Sequence, residues 1–521
     1  MNIWISSMEC AGIIEAGGVK NVTFSLCKEF ADLGHKVTLF IPVFKTNSWD
    51  LITNLEKDFI KNVVIKHCGK EEQITYSKAK FKDEKFNIIF INHPGFLEKE
   101  AVYTYTANEQ KKNPEFVKGM GHKDTLFLDA LYSKAVATYG EYADKVDLPD
   151  IMHCQDASTA LVPVYIRFMA EFHKTASVIT IHNAGPAYHH NYSSIGEAAW
   201  FTDLSEVILS GALNGTKVEP YLLASNAGAH ITTVSETYAQ ELKDPFNKDE
   251  TEGLAPIFFS RSTKITGITN GIDFERYDPS DTNVSNLPFA FNPETGDLEG
   301  KYKCREYFFE QILNNHETPC MVPVYGEIDN KDYKNNIYIV YHGRITAQKG
   351  LTVLIESIPV ILNNFENVFF IIAGQGEVSL EEELKTLCTS QKGRVVFING
   401  YEKCLARLTN AIGDFIVLPS FFEPCGLEDF ISQIYGTLPV AHKTGGLNKI
   451  LNNETGFLYK KNTAESLIAK LSEVITIKKY SPNTINKIIA YASKYVRETY
   501  LWSKVISNKY IPFFNEILKK T

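Results

Sequence analysis

The sequence predicts an α/β protein made of two doubly wound domains. Three observations predict it. A β–loop–α–β pattern opens the chain, the pattern restarts near residue 336, and each half carries a glycine-rich loop, "EAGGVKNV" (15–22) and "KTGGLNKI" (443–450). At 521 residues the chain also exceeds one ordinary hydrophobic core, so length agrees with two domains.

The first unit reads as a strand over Ile3 to Ile5, a glycine loop, and a helix whose apolar face is Val19, Val22, Leu26, Phe30 and Leu33. Gly34 stands where a helix C-cap belongs, and "HKVTLFIPVF" is the next strand. Such units build parallel sheets covered by helices. In the second half, "IYIVYHGRIT" is a strand and loop, and Leu351, Leu354, Ile355, Ile358 and Leu362 form a helix face. "NVFFIIAGQG", "RVVFING" and "DFIVLPS" are further buried strands. The expected division is a first domain over 1–275, a polar, loop-rich linker or insertion over 276–335, a second domain over 336–495, and an amphipathic terminal helix over 496–521. Two such domains facing each other make a deep cleft lined by strand ends and helix N-termini, which favour anions.

Composition narrows the function. The chain is 44% hydrophobic and 22% charged, with net charge −9 and a pI near 5.9, so it lacks the basic footprint of a nucleic-acid binder. Its nine cysteines show neither a CxxC pair nor zinc spacing, which with the absence of a signal-peptide pattern suggests reduced thiols and a cytoplasmic location. No run approaches the ~18 apolar residues of a membrane span.

Several loops carry candidate chemistry. Arg344 and Lys349 in "HGRITAQKGL" flank a strand-to-helix turn, where two cations can grip one diphosphate. Read from spacing alone, two solvated surface charges fit as well. Glu423 in "PSFFEPCGLEDF" follows a buried strand, and a carboxylate beside the amides of Gly426 and Leu427 can hold sugar hydroxyls; a plain helix-start charge is the bland alternative. Gly445 and Gly446 permit close backbone approach at another helix start. Gly374 and Gly376 in "AGQGE" fit a site near a base or a simple turn.

Taken in order, "AGGV", "HCQDAST", "THNAGPAYHH", "GITNGID", "HGRITAQKGL", "NGYEKCLARL", "PSFFEPCGLEDF", "YGTLPVAHKTGGL" and "TGFLY" resemble the bacterial glycogen synthase and plant starch synthase family, retaining glucosyltransferases of the GT-B fold. The resemblance spans nearly the whole chain and is strongest in "RITAQKGL", "FEPCGL" and "KTGGL". It implies two Rossmann-like domains, with the terminal helix crossing back to the first. The implied reaction moves glucose from ADP-glucose, with UDP-glucose as the alternative donor, to the non-reducing end of an α-1,4-glucan, without metal, cofactor, nucleic acid or membrane. By the same resemblance, Arg344 and Lys349 match the pair that stabilises the leaving diphosphate, and Glu423 the carboxylate that holds the donor glucose. Cys425, Gly426 and Leu427 match the loop around that sugar, and Thr444, Gly445 and Gly446 the phosphate loop. Gly17 and Gly18 match a second backbone cradle. Tyr401 matches the aromatic stacked on the base, and Asp156, His182 and Asn270 match polar groups around the transferred glucose.

One departure is prominent. The family's first loop usually reads Lys-Thr-Gly-Gly-Leu, and here it reads Glu15, Ala16, Gly17, Gly18, Val19. A lost charge-assisted hydrogen bond is worth about 1.5–3 kcal/mol. An ionised Glu ~4 Å from a phosphate charge adds up to ~4 kcal/mol of repulsion at an effective dielectric near 20. Three arrangements would avoid that cost: Glu15 points away or bonds sugar hydroxyls, Lys20 supplies the charge, or the chain is a repurposed paralogue. "NAGPAYHH" also departs from the family's Tyr-Gln-Gly, and "YLLASNAGAHITTVS" lacks an expected lysine. The competing readings are a related glycosyltransferase with another acceptor and a non-catalytic glucan-binding or regulatory paralogue.

Overall fold

A central strand with parallel partners on both sides organises each half of the molecule. The computed structural model describes residues 1–313, 322–329, 332–400 and 402–520. The chain divides into two units, Met1–Gly271 with Trp502–Thr521, and Ile272–Leu501.

Unit 1 contains β1 (Asn2–Ser6), β2 (Lys36–Pro42), β3 (Ile52–His67), β4 (Lys70–Phe81), β5 (Asn87–Asn92), β6 (Ile151–Gln155), β7 (Ala176–Ile181), β8 (Leu213–Asn214), β9 (Lys217–Val218), β10 (His230–Thr233) and β11 (Ile265–Gly267). Nine of them form one sheet in the order β11-β10-β7-β6-β1-β2-β5-β4-β3. The β3–β4 and β4–β5 pairs are antiparallel, and the other pairs are parallel. Because β1 pairs with β2 on one side and β6 on the other, the strand order reverses there, which is where such sheets bind ligands.

The helix Val19–Asp32 buries Val22, Leu26 and Phe30, one stripe at helical spacing. Gly34, with φ 84°, ends it: its N–H donates to Ala31 O at 3.0 Å and that of His35 to Phe30 O at 3.1 Å. Phe30 stacks on Phe514 of the helix Ile511–Leu518 with ring centroids 5.4 Å apart. The C-terminal segment is therefore part of the unit 1 core.

Unit 2 contains β12 (Val324–Ile328), β13 (Ile337–His342), β14 (Val368–Gly374), β15 (Arg394–Asn399), β16 (Phe415–Leu418), β17 (Leu438–His442) and β18 (Phe457–Tyr459). Their order is β12-β15-β14-β13-β16-β17-β18, with only β12 antiparallel to its neighbour. Every residue of β13 and β14 is buried, as expected for a parallel sheet covered on both faces. The order reverses between β13 and β16.

The expectation of a linker over 276–335 is corrected. Its described residues belong to unit 2, and Phe291, Cys304, Phe308 and Phe309 are core residues. The segment reads as surface because it is polar, yet two of its cations, Lys301 and Arg305, are buried and paired. Arg305 donates from Nε to Ile412 O at 2.5 Å and lies 2.8 Å from Asp414 Oδ1. Lys301 Nζ donates to Ala411 O, Tyr435 O and Thr437 Oγ1 at 2.6, 2.9 and 2.8 Å. Ala411 and Ile412 close the helix Lys403–Ile412, whose carbonyl end attracts cations.

Candidate functional site

In unit 2 the loops after β13, β16 and β17 meet at the strand-order reversal. Lys349, after β13, donates from Nζ to Glu423 Oε2 at 2.5 Å, and Ser420 Oγ donates to the same oxygen at 3.0 Å. Burial alone would raise the Glu423 pKa; Lys349 and Ser420 outweigh it and hold the carboxyl below its usual value. Arg344 lies on the same loop as Lys349, exposed, with its carbonyl accepting from Tyr341 Oη at 2.6 Å. Beside this pair is a small cavity of about 60 Å³, lined by Lys349, Ser420, Glu423, Gly426 and Leu427 among others.

The loops after β16 and β17 touch directly. Gly446 N donates to Glu423 O at 2.7 Å, and a Cβ on Gly446 would fall 1.9 Å from Cys425 O, so only glycine fits. Thr444 Oγ1 donates to Phe421 O at 3.2 Å. Beneath them, buried Lys449 donates from Nζ to Cys425 O, Gly426 O and Gly446 O at 2.6, 2.9 and 3.2 Å and to Asp429 Oδ1 at 2.9 Å. Burial pushes the Asp429 carboxyl up to about 6.

In unit 1 the loops after β1 and β6 border a cavity of about 740 Å³. Asp156 follows β6 with φ 60° and ψ 179°, a strained backbone for a residue with a side chain. It is held from several sides: its N–H donates to Thr180 O at 2.9 Å, and Oδ1 accepts from His182 N at 2.7 Å and from Tyr221 Oη at 3.4 Å. The His182 ring is tied through Nε2 to Gln155 Oε1 at 2.7 Å, and burial lowers its pKa. Burial raises that of Asp156.

The glycine loop after β1 is organised by a residue the sequence reading does not single out. Glu9 Oε2 accepts the amides of Ala16 and Gly17 at 2.9 and 2.6 Å, and Tyr103 Oη donates to Oε1 at 3.3 Å. The amide of Gly17, expected to cradle a phosphate, is thus bound to an internal carboxylate. Glu15 turns to Lys20, 2.8 Å away, and accepts from Gly12 N at 3.0 Å. Lys20 therefore neutralises Glu15.

The structure brings Lys349, Glu423, Cys425, Gly426, Leu427, Thr444, Gly445 and Gly446 to the C-terminal ends of β13, β16 and β17, and Glu15, Gly17, Gly18 and Asp156 to one cavity. His182 backs Asp156. Asn270 does not line that cavity; it follows edge strand β11, buried, with Oδ1 unpartnered among the described residues. Tyr401 lies outside the described residues. Gly374 and Gly376 serve close packing: a Cβ on either would fall about 2 Å from a carbonyl of the 343–345 loop, at 1.8 and 2.1 Å. Asp429 and Lys449 lie inside quoted motifs, but their pairing gave no sequence signal because they are 20 residues apart.

Comparison with known proteins agrees with this fold. Residues 2–256 match the family model described as the starch synthase catalytic domain, and residues 327–494 that of glycosyl transferases group 1. A glycogen synthase from Thermodesulfovibrio yellowstonii is 28% identical over 540 residues, covering 99% of this chain and 98% of the relative. One from Aliivibrio fischeri is 25% identical over 525 residues, with 99% and 98% covered. The catalytic domain of starch synthase IV from Arabidopsis thaliana, solved with ADP and acarbose, superposes with a TM-score of 0.78 at 22% identity, covering 99% of both chains. A sucrose-phosphate synthase from Thermosynechococcus elongatus gives a TM-score of 0.54 at 13% identity over 100% of this chain and 99% of that one. Two doubly wound units, together with these matches, define a glycosyltransferase of the GT-B fold. Over nearly its whole length the chain is similar to bacterial glycogen synthases and to a plant starch synthase.

Proposed function

We propose that the chain moves glucose from ADP-glucose to the non-reducing 4-hydroxyl of an α-1,4-glucan with retention of configuration. The observation that carries this reading is the Lys349–Glu423 contact at the β13/β16 reversal, with Arg344 on the same loop. Breaking the C1–O bond leaves positive charge on the sugar and negative charge on the diphosphate. Lys349, Arg344 and the amides of Gly445 and Gly446 stabilise the diphosphate, while Glu423 holds the donor glucose through its hydroxyls. Attack from the leaving-group face gives retention, and the departing phosphate oxygen takes the acceptor's proton.

A second reading, glucan binding without turnover, is favoured by one observation: Glu9 holds the Ala16 and Gly17 amides, and Glu15 holds Lys20. Incorporation of radiolabelled glucose into glycogen from ADP-glucose and from UDP-glucose separates the two. Incorporation that Glu423→Ala lowers about a hundredfold supports transfer. Glycogen binding without incorporation supports the second reading.

A further inference from the structure

The unit 1 cavity contains a histidine–carboxylate pair that the proposed reaction leaves without a role. His190 lines the cavity with φ 52°, in the left-handed region. Its Nδ1 is hydrogen-bonded to Oδ2 of Asp129, which projects from the helix Thr125–Thr138. Both side chains are largely buried. Among the described residues Nε2 of His190 has no hydrogen-bond partner. A ring fixed at one nitrogen and open at the other is an oriented polar group aimed by its carboxylate.

The other lining groups indicate what such a ring would meet. Four carboxylates border the cavity: Glu9, Glu15, Asp129 and Asp156. Its one lysine, Lys99, is tied to Asp124 Oδ2 at 2.7 Å, and His122 is tied through Nε2 to Ala101 O at 2.9 Å. Tyr103, Tyr188, Phe44 and Phe96 add apolar faces. Glu15 and Asp129 are offset by Lys20 and His190, but Glu9 and Asp156 have no cationic partner among the described residues; with the aromatic faces they suit a neutral polyhydroxyl ligand and disfavour a phosphorylated one.

We propose that His190, oriented by Asp129, selects the sugar in this cavity by hydrogen-bonding through Nε2 to a hydroxyl of a neutral, unphosphorylated glucan end. The inference rests on the glucosyltransferase reading and adds a specificity residue to it. A sugar hydroxyl both donates and accepts, so the contact forms with either protonation state of the ring. Burial would lower the His190 pKa, but Asp129 outweighs it and raises it, which adds a donor at Nε2.

The test is calorimetric titration of the full chain with maltoheptaose and, separately, with ADP. His190→Gly suits the backbone, because glycine adopts φ near +50° without strain. The expected result is an affinity for maltoheptaose about tenfold weaker, from one lost hydrogen bond to a polar ring, with ADP affinity held and a lower melting temperature, because buried Asp129 loses its partner. Asp129→Asn frees the ring and weakens maltoheptaose binding by a smaller factor. Maltoheptaose bound by His190→Gly within about twofold of wild type overturns the proposal, as does a wild type that does not bind it. Glucose transfer measured on the same preparation keeps the two claims apart. Transfer with unchanged variant affinity overturns only the role of His190. The expected loss of affinity without transfer overturns only the reaction.

Discussion

Lys449 and Asp429 form a buried ion pair, 2.9 Å apart, directly under the loop that carries Glu423. The same ammonium collects carbonyls from both site loops, so one cation fixes the distance between the loop after β16 and the loop after β17.

Lys449→Met leaves Asp429 and three carbonyls without their cation. Breaking a buried pair from one side costs about 3–5 kcal/mol. The expected outcome is a large drop in urea midpoint together with weaker donor binding. A variant as stable as wild type would show that the pair is dispensable.

The pH dependence of stability follows from Asp429. Its carboxyl titrates near 6 in the native state, from an ordinary value of 3.8, because burial penalises the charge. Between those values the native state holds a proton that the unfolded chain has released. The associated stability is present below about pH 4 and is lost as pH rises through about 6. Asp429→Asn has no such proton. The stability of wild type relative to this variant therefore falls from about pH 4 to 6 and levels off above 7, measured by urea unfolding at a series of pH values. A difference that grows with pH contradicts the assignment.

Glu423→Ala removes the partner of Lys349 and the group assigned to the donor sugar. A charge-assisted bond lost in the transition state lowers transfer by about a hundredfold. ADP affinity stays within a few-fold of wild type. Incorporation assays and ADP titration check both parts, and equal losses in the two would place Glu423 at the nucleotide instead.

Glu15→Gln loses only a half-exposed pair with Lys20, worth about 0.2–1 kcal/mol. Thermal melting should barely move. Glu15→Lys sets two ammonium groups side by side and should lower the melting temperature more than Glu15→Gln does. The reverse order would mean that Lys20 is not the partner of Glu15.

Gly446→Ala forces a methyl group against Cys425 O. The two loops must separate, so transfer should fall much further than the modest helix-propensity gain of alanine suggests. Retained activity would show that the loop contact is not required.

The fold was legible where burial follows a period. Val22, Leu26 and Phe30 announce the first helix, and the unbroken apolar runs around Ile339 and Ile371 announce covered parallel strands. That the loops after β13, β16 and β17 belong together was legible because their residues cluster within short motifs. Residues 276–335 misled because Arg305 and Lys301 are polar in sequence yet buried against helix-terminal carbonyls more than 100 residues away, at separations of 107 and 110. Glu9 and the Asp129–His190 pair escaped for a related reason: a carboxylate that binds amides or a distant ring leaves no local pattern.

The chain leaves unit 1 at Gly271 and re-enters it at Trp502, and the two ends of the intervening piece are stitched together, Ile272 N donating to Tyr500 O at 2.7 Å. Unit 2 is thus a continuous cassette with adjoining ends, open to exchange between relatives as a single gene segment. Unit 1 has no such freedom. Any exchange of its first 271 residues that omits the last 20 strips Phe30 of Phe514 and leaves the recipient core unfinished.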